Sequence, residues 1–176
     1  MTCRNATLRQ LPALAALALL CLAGAPALAA CTSPPAPEVD WQRCYFSDRD
    51  LKQVDLQRGN LRDVSYFNGD LSRSNLTEVD ARGGKFIGTD LRGAKFDKAR
   101  LSSADLTDSN LTGASFRHAD LRRSHLFRAK LRDADFTGAR LDGADFLQAD
   151  LSGATWTDGK TKCADGSIGQ CTPTAQ

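Results

Sequence analysis

An all-β solenoid wound from a five-residue unit is the fold class that this 176-residue sequence predicts. Three observations lead there. Every fifth residue from Phe46 to Trp156 is bulky and apolar: 21 of these 23 positions hold Leu, Phe or Trp, and the exceptions are Tyr66 and Ala81. A small residue stands two places before each, with Arg49 the one clear departure; from Ala94 to Ala154 all 13 such positions are Ala except Ser109 and Ser124. Residues twenty apart also match, as in the unbroken column Leu51, Leu71, Leu91, Leu111, Leu131, Leu151. A unit this short cannot bury its apolar face alone, so copies must stack on one another.

A helix does not suit the period. At about 100° per residue, five residues advance about 140°, and the apolar series would spiral without making a face. The small and bulky residues of one unit are two apart, which is strand spacing. From a bulky residue to the next small one is three, so one residue per unit must be absorbed in a corner. Gly occupies that slot at Gly83, Gly88, Gly93, Gly113, Gly138, Gly143 and Gly153. A corner that takes φ > 0 accounts for it.

The units Ala104-Asp105-Leu106-Thr107-Asp108, Ala119-Asp120-Leu121-Arg122-Arg123 and Ala144-Asp145-Phe146-Leu147-Gln148 resemble the A(D/N)LxX unit of the pentapeptide repeat family. The resemblance covers roughly two-thirds of the chain. It implies a right-handed quadrilateral β-helix with four units per coil, the central residue and the small one before it pointing into the shaft. The period of twenty supports four sides independently. A second column ends in an aromatic ladder, Phe96, Phe116, Phe136, Trp156. Twenty-three units make just under six coils, about 28 Å tall at ~4.8 Å per strand.

The ends read differently. Residues 1–30 are expected to be a signal peptide: Arg4 and Arg9 form a basic start, Leu11 to Ala23 is apolar but short of a membrane span, and Ala27-Leu28-Ala29 is a small-x-small cleavage signal. The mature protein is then periplasmic or secreted. Residues 31–44 read as an N-terminal lead-in and cap, with 32–38 extended by Pro34, Pro35 and Pro37, and Trp41 with Cys44 opening an irregular first coil. The β-helix is expected over 45–158 and a disulfide-clasped tail over 159–176.

Cys3 and Cys21 leave with the signal, and Cys31, Cys44, Cys163 and Cys171 remain for an oxidising compartment. Pairing Cys31 with Cys44 and Cys163 with Cys171 clasps both ends of the stack, where open strand edges invite association. Against this, Leu28-Ala29-Ala30-Cys31 resembles a bacterial lipobox, in which Cys31 is acylated and the protein is a membrane-anchored lipoprotein. The disulfide reading is preferred because it pairs all the mature thiols.

Charge narrows the function. The whole chain has 23 basic and 21 acidic residues, and removal of Arg4 and Arg9 leaves 21 against 21. The best-known relatives that the resemblance implies are DNA mimics that protect a bacterial topoisomerase. That role needs a strongly negative face and a cytoplasmic address, and stands as an alternative only; neutrality also argues against nucleic-acid binding. Arg62, Arg82 and Arg122 share one side, with Arg123 and Arg128 nearby, interleaved with Asp80, Asp120 and Asp142; this reads as a solvated surface in preference to an anion site. The Asp and Asn residues before the central ones, among them Asp50, Asp70 and Asp90, read as turn formers and not as a metal ladder.

The sharper feature is the residue after each central one. On one side it reads Ser47, Phe67, Ile87, Thr107, Phe127, Leu147, whereas the other three sides are polar there. Phe67, Ile87, Phe127 and Leu147 are thus the candidate interface, for an unidentified protein, a second copy or this chain's own tail. No chemistry is expected: His118 and His125 fall on different sides, neither has a matched nucleophile, and a filled shaft leaves no ligand-sized interior. No catalytic residue, cofactor or metal is expected, and membrane contact only if Cys31 is acylated. The sequence thus points to a non-enzymatic structural or protein-interaction scaffold of the bacterial envelope.

Overall fold

The computed structural model describes residues 30–174; the expected signal segment, with Cys3 and Cys21, lies outside the described residues except for Ala30. Corners dictate the architecture. In each unit the central C=O accepts a hydrogen bond from the N–H three residues on, as from Ala94 to Leu91 at 3.0 Å. The residue just before that donor lies in the left-handed region: Gly93 at φ 63°, but also Arg58 at 57° and His118 at 58°. A bonded turn with its third residue at φ > 0 is type II.

Between corners the chain runs straight for about three residues and pairs with the layers above and below. Leu91 N–H donates to Asn110 C=O at 2.8 Å and Gly93 N–H to Thr112 C=O at 3.0 Å, while Lys95 N–H reaches back to Ser74 C=O at 3.0 Å. Parallel bridges join residues twenty apart from Asp40↔Asn60 to Asp135↔Thr155. Among the described residues only β1 (Tyr45–Ser47) and β2 (Ser65–Phe67) are long enough to form a parallel strand pair, with Phe46 opposite Tyr66. Four bonded corners per twenty residues give a parallel solenoid with four sides, named here by the central residue that ends each: the Phe46, Leu51, Leu56 and Leu61 sides.

The shaft is dry and full. Leu71, Leu91, Leu111, Leu131 and Leu151 are buried, with Leu51 half-buried at the lower, N-terminal end. Phe96, Phe116 and Phe136 stack at 5.2 Å with planes 4° and 5° apart, and Trp156 closes the ladder against Phe136 at 5.8 Å and 62°. Inward hydroxyls bond the backbone: Ser109 donates to Leu106 C=O at 2.6 Å, Ser124 to Leu121 C=O at 2.7 Å, and Thr89 to Tyr66 C=O at 3.1 Å. Among the described residues no buried side-chain polar atom is left unpartnered.

Arg49 turns out of the shaft instead of filling it, its guanidinium 5.9 Å from the Phe46 ring centroid. Tyr66 compensates. Its ring fills the vacated volume and its hydroxyl donates to Arg49 C=O at 2.7 Å. Gly69, stacked over Arg49, makes this possible: a Cβ there would lie 2.3 Å from the Tyr66 ring. The two departures Arg49 and Tyr66 are therefore one local solution with Gly69, and burial pushes the Tyr66 phenol above its ordinary range.

Residues 32–38 are not extended throughout. Ala30–Thr32 forms a 3₁₀ turn, and Ala36 C=O accepts the Val39 N–H at 3.3 Å with Glu38 at φ 61°. Pro37 suits the second position of that turn. The five-residue register thus starts at Ala36, inside the expected lead-in. Trp41 is buried, donates its indole N–H to Ser33 C=O at 3.2 Å and packs on Phe46 at 4.9 Å. Disulfides join Cys31 to Cys44 and Cys163 to Cys171.

At the upper end the tail doubles back antiparallel over the last coil, with bridges Thr155↔Lys162 and Asp150↔Ile168. Leu151, Gly153 and Trp156 donate to Ser167, Cys163 and Thr161. No helix among the described residues is long and apolar enough to cross a membrane.

Two substitutions probe this packing. Phe116→Ala removes the middle ring of the stack and should cost about 3–5 kcal/mol in chemical denaturation. Gly69→Ala should cost roughly 1–3 kcal/mol by forcing the Tyr66 ring aside, and Tyr66→Leu in the same chain should recover part of that loss. A Gly69→Ala midpoint equal to the parent's would contradict the seating of the tyrosine.

Candidate interaction face

The Phe46 side carries the apolar column because position i+1 after each central residue points away from the shaft. Phe67, Ile87, Thr107 and Phe127 are partly buried along it, while Leu147 at the upper end is 60% exposed. Two of the rings are covered by identified neighbours. Tyr45 leans on Phe67 with ring centroids 5.8 Å apart. Arg128 lies over the Phe127 ring at 5.0 Å, held there by two hydrogen bonds of 2.7 Å to Asp108. The column is thus a ridge of ring faces and aliphatic ends, open widest at its two extremities.

Tyr45, 68% exposed, belongs to the same face and escaped the sequence reading. The signal was present: it is the one apolar residue among the positions just before a central residue. Ile168, 54% exposed, is a further apolar group in the tail, where no repeat register announces its direction.

The basic column is internally neutralised. Arg82 binds Asp80 at 2.8 and 2.7 Å, Arg62 approaches the same carboxylate at 3.7 Å, and Arg122 binds Asp120 at 2.7 and 2.6 Å. Arg82 holds the Asp80 carboxyl below the usual carboxylate range by its hydrogen bonds, against the opposing effect of desolvation, and Arg122 does the same for Asp120. An open groove of about 360 Å³ lies beside this pair, lined by Ser102, Ser103, Arg122, Arg123, Arg140 and Asp142.

The Asp column on the Leu51 side is engaged in turns. Carboxylates of Asp50, Asp70 and Asp90 accept the N–H groups of Lys52, Ser72 and Arg92 at 3.3, 2.8 and 3.1 Å. No group of three or more metal-ligating side chains occurs among the described residues. His118 sits at a corner against Gly138, and His125 is exposed on the Phe46 side.

Acid should loosen the tail. The Thr161 hydroxyl, with the Thr161 and Lys160 N–H groups, holds the Asp158 carboxyl down at about 2. A depressed folded-state pKa stabilises above the unfolded value near 3.8 and loses that effect as pH falls through about 2. Amide protection at Lys160 and Thr161 should therefore be constant from neutral pH down to about 4 and fall from there toward 2. Asp158→Asn should flatten that dependence. Protection unchanged across this window would exclude the clasp.

The family model for pentapeptide repeats matches the chain in 8 copies, over residues 68–93, 74–113, 85–123 and 119–155. These segments together span 68–155, half of the chain. Among solved structures the chain is similar to Rfr23, a pentapeptide repeat protein of the cyanobacterium Cyanothece 51142, at 22% identity and TM-score 0.51, over 66% of this chain and 90% of that one. It is also similar to HetL, a pentapeptide repeat protein involved in heterocyst differentiation regulation in Nostoc sp. strain PCC 7120, at 26% identity and TM-score 0.44, over 70% of this chain and 62% of HetL. The chain thus spans less than two thirds of HetL's length. A third is AT2G44920, a pentapeptide repeat protein of the Arabidopsis thaliana thylakoid lumen, at 21% identity and TM-score 0.41, over 76% of this chain and 83% of that one. No curated protein matches. On the match to half its length and the turn-and-ladder geometry described above, the chain belongs to the pentapeptide repeat family.

Proposed function

We propose that this chain is an exported, non-enzymatic scaffold of the bacterial envelope or periplasm: a right-handed β-helical rod of about six coils that docks a protein partner along its Phe46 side. The observation that carries the reading is the confinement of outward apolar residues to one side. Phe67, Ile87, Phe127 and Leu147 stand in one line with Tyr45 beside them, while the corresponding positions elsewhere are polar. Lines of this kind mark contact surfaces.

Export is supported by the cysteines. Both pairs are disulfide-bonded, and such bonds persist in oxidising compartments. The Cys31 sulfur engaged with Cys44 is not available to an acyl chain, so the lipid-anchored alternative is the weaker one. The topoisomerase-protecting alternative needs a negative surface, and here Asp80, Asp108 and Asp120 are each paired with Arg. The dry shaft and the engaged Asp column support a structural role.

Periplasmic crosslinking tests the face. The parent chain should yield a discrete crosslinked species, and Phe67→Asp combined with Phe127→Asp should abolish it without moving the melting temperature. If the double variant retains the same crosslinks, the line of apolar residues is not the docking surface.

A further inference from the structure

The two ends of the rod are stepped, and the steps are complementary. At the upper end the tail pairs with the Leu51 and Leu56 sides only. On the Leu61 and Phe46 sides the N–H groups of Leu141, Gly143, Phe146 and Gln148 and the C=O groups of Ala139 and Ala144 have no backbone partner among the described residues. One layer below, their counterparts are all bonded: Leu121 to Arg140, Arg123 to Asp142, Leu126 to Asp145, Arg128 to Leu147. Side chains follow suit. Leu141, Ala144 and Phe146 are only partly buried, whereas Leu121, Ser124 and Leu126 are fully so.

The lower end is stepped on the opposite half. There the lead-in lies beneath Trp41 and Cys44, fixed by the Trp41–Ser33 hydrogen bond and the Cys31–Cys44 disulfide, and both residues are buried. Leu51 and Val54, around the next corner, are left half-buried. The raised half below is therefore the same pair of sides as the recessed half above. Placed end on end in common register, a raised half meets a recessed half at both steps.

Charge and hydrogen-bonding character agree with this fit. Asp142 and Asp145 flank the recessed upper corner; neither closes a salt bridge among the described residues, and Asp142 shares its groove with Arg122, Arg123 and Arg140. Arg43 stands at the equivalent lower corner without an ion pair, and Arg49 stands at the next one with its guanidinium over Phe46. In common register the Asp142 and Asp145 carboxylates of one copy would be brought toward the Arg43 and Arg49 guanidinium groups of the next. The recessed edge offers four N–H groups against two C=O groups. The lead-in carries Pro34 and Pro35, which have carbonyls but no N–H.

We infer that a second copy of this chain docks end on end, its lower rim seated on the upper rim of the first, so that copies extend into a filament. Such an interface is heterologous and does not close on itself. The inference rests on the proposed removal of residues 1–30, which leaves the lower rim free.

Sedimentation of the exported, oxidised protein tests it, after intact mass has shown whether residues 1–30 are gone; that measurement separates a failure of processing from a failure of stacking. The expected result is a mass that rises with concentration past two chains and survives Phe67→Asp/Phe127→Asp, since the apolar face is not used. Asp142→Arg with Asp145→Arg, or Arg43→Asp with Arg49→Asp, should weaken association at least about tenfold with the melting temperature retained. A mixture of the two variants should associate again, each supplying the rim that the other lacks. A mass that stays at one chain, a mass that stops at two, or variants that fail to rescue each other would each overturn the proposal.

Discussion

The left-handed corner repeated every five residues is the constraint from which the rest follows. Seventeen of the corner residues are not glycine. Each costs about 1 kcal/mol relative to an ordinary backbone conformation, so the corners alone are a substantial opposing term. They persist because three things demand them at once. The turn hydrogen bond closes across the corner, the N–H of the corner residue itself bonds the layer above, and the flanking residues are committed to the shaft. The slot's composition shows the constraint at work. It holds Asp, Asn, Arg, Lys, Gln, Glu, Ser and His, besides Gly, and no β-branched residue and no Phe, Tyr or Trp. Polar flexible side chains tolerate φ > 0 better and point into water.

Burial supplies the opposing term. Each fully enclosed Leu or Phe contributes roughly 1.5–3 kcal/mol, and an inward residue comes twice per unit. This is why the fold was legible from the sequence in such detail. A repeat whose period fixes both which residues turn inward and which residues lie above one another leaves little freedom in the core. The Leu51-to-Leu151 column and the stacked phenylalanines followed from counting alone. What counting did not reach was compensation between columns. Arg49, Tyr66 and Ala81 were visible as three departures, but the tie between Arg49, Tyr66 and Gly69 is a volume exchange between adjacent layers, and no one-dimensional period encodes it.

The surface was legible only by direction. Position in the unit told which side chains point out, not how far their neighbours cover them. Phe127 is outward yet shielded, because Arg128 is drawn over it by Asp108 from the layer below. Arg62 and Arg82 looked like a basic column, and Asp80 between them cancels much of it. Tyr45 lies before its central residue, outside the column formed by the residues that follow the central ones, so that column does not predict it. The lead-in differs from its expected form for a related reason. Three prolines suggested an extended segment, whereas Pro37 is the second residue of a turn already in register.

A solenoid has a difficulty that a globular domain lacks: its interior is continuous with its ends. Every coil buries its neighbours' faces and satisfies their backbone, and the first and last coils must find substitutes. Here each end is given half a lid, a disulfide-held lead-in below and a disulfide-held hairpin tail above. Half a lid is an unstable compromise for an isolated rod, because Phe146 and Leu141 keep apolar surface and open backbone groups together at one rim. Lids on opposite halves at the two ends convert that liability into shape, since a rod with such ends is the complement of itself under translation. The lateral apolar ridge and the stepped ends are then separate features of the rod, one proposed to meet a partner along the shaft and the other proposed to join copies end on end.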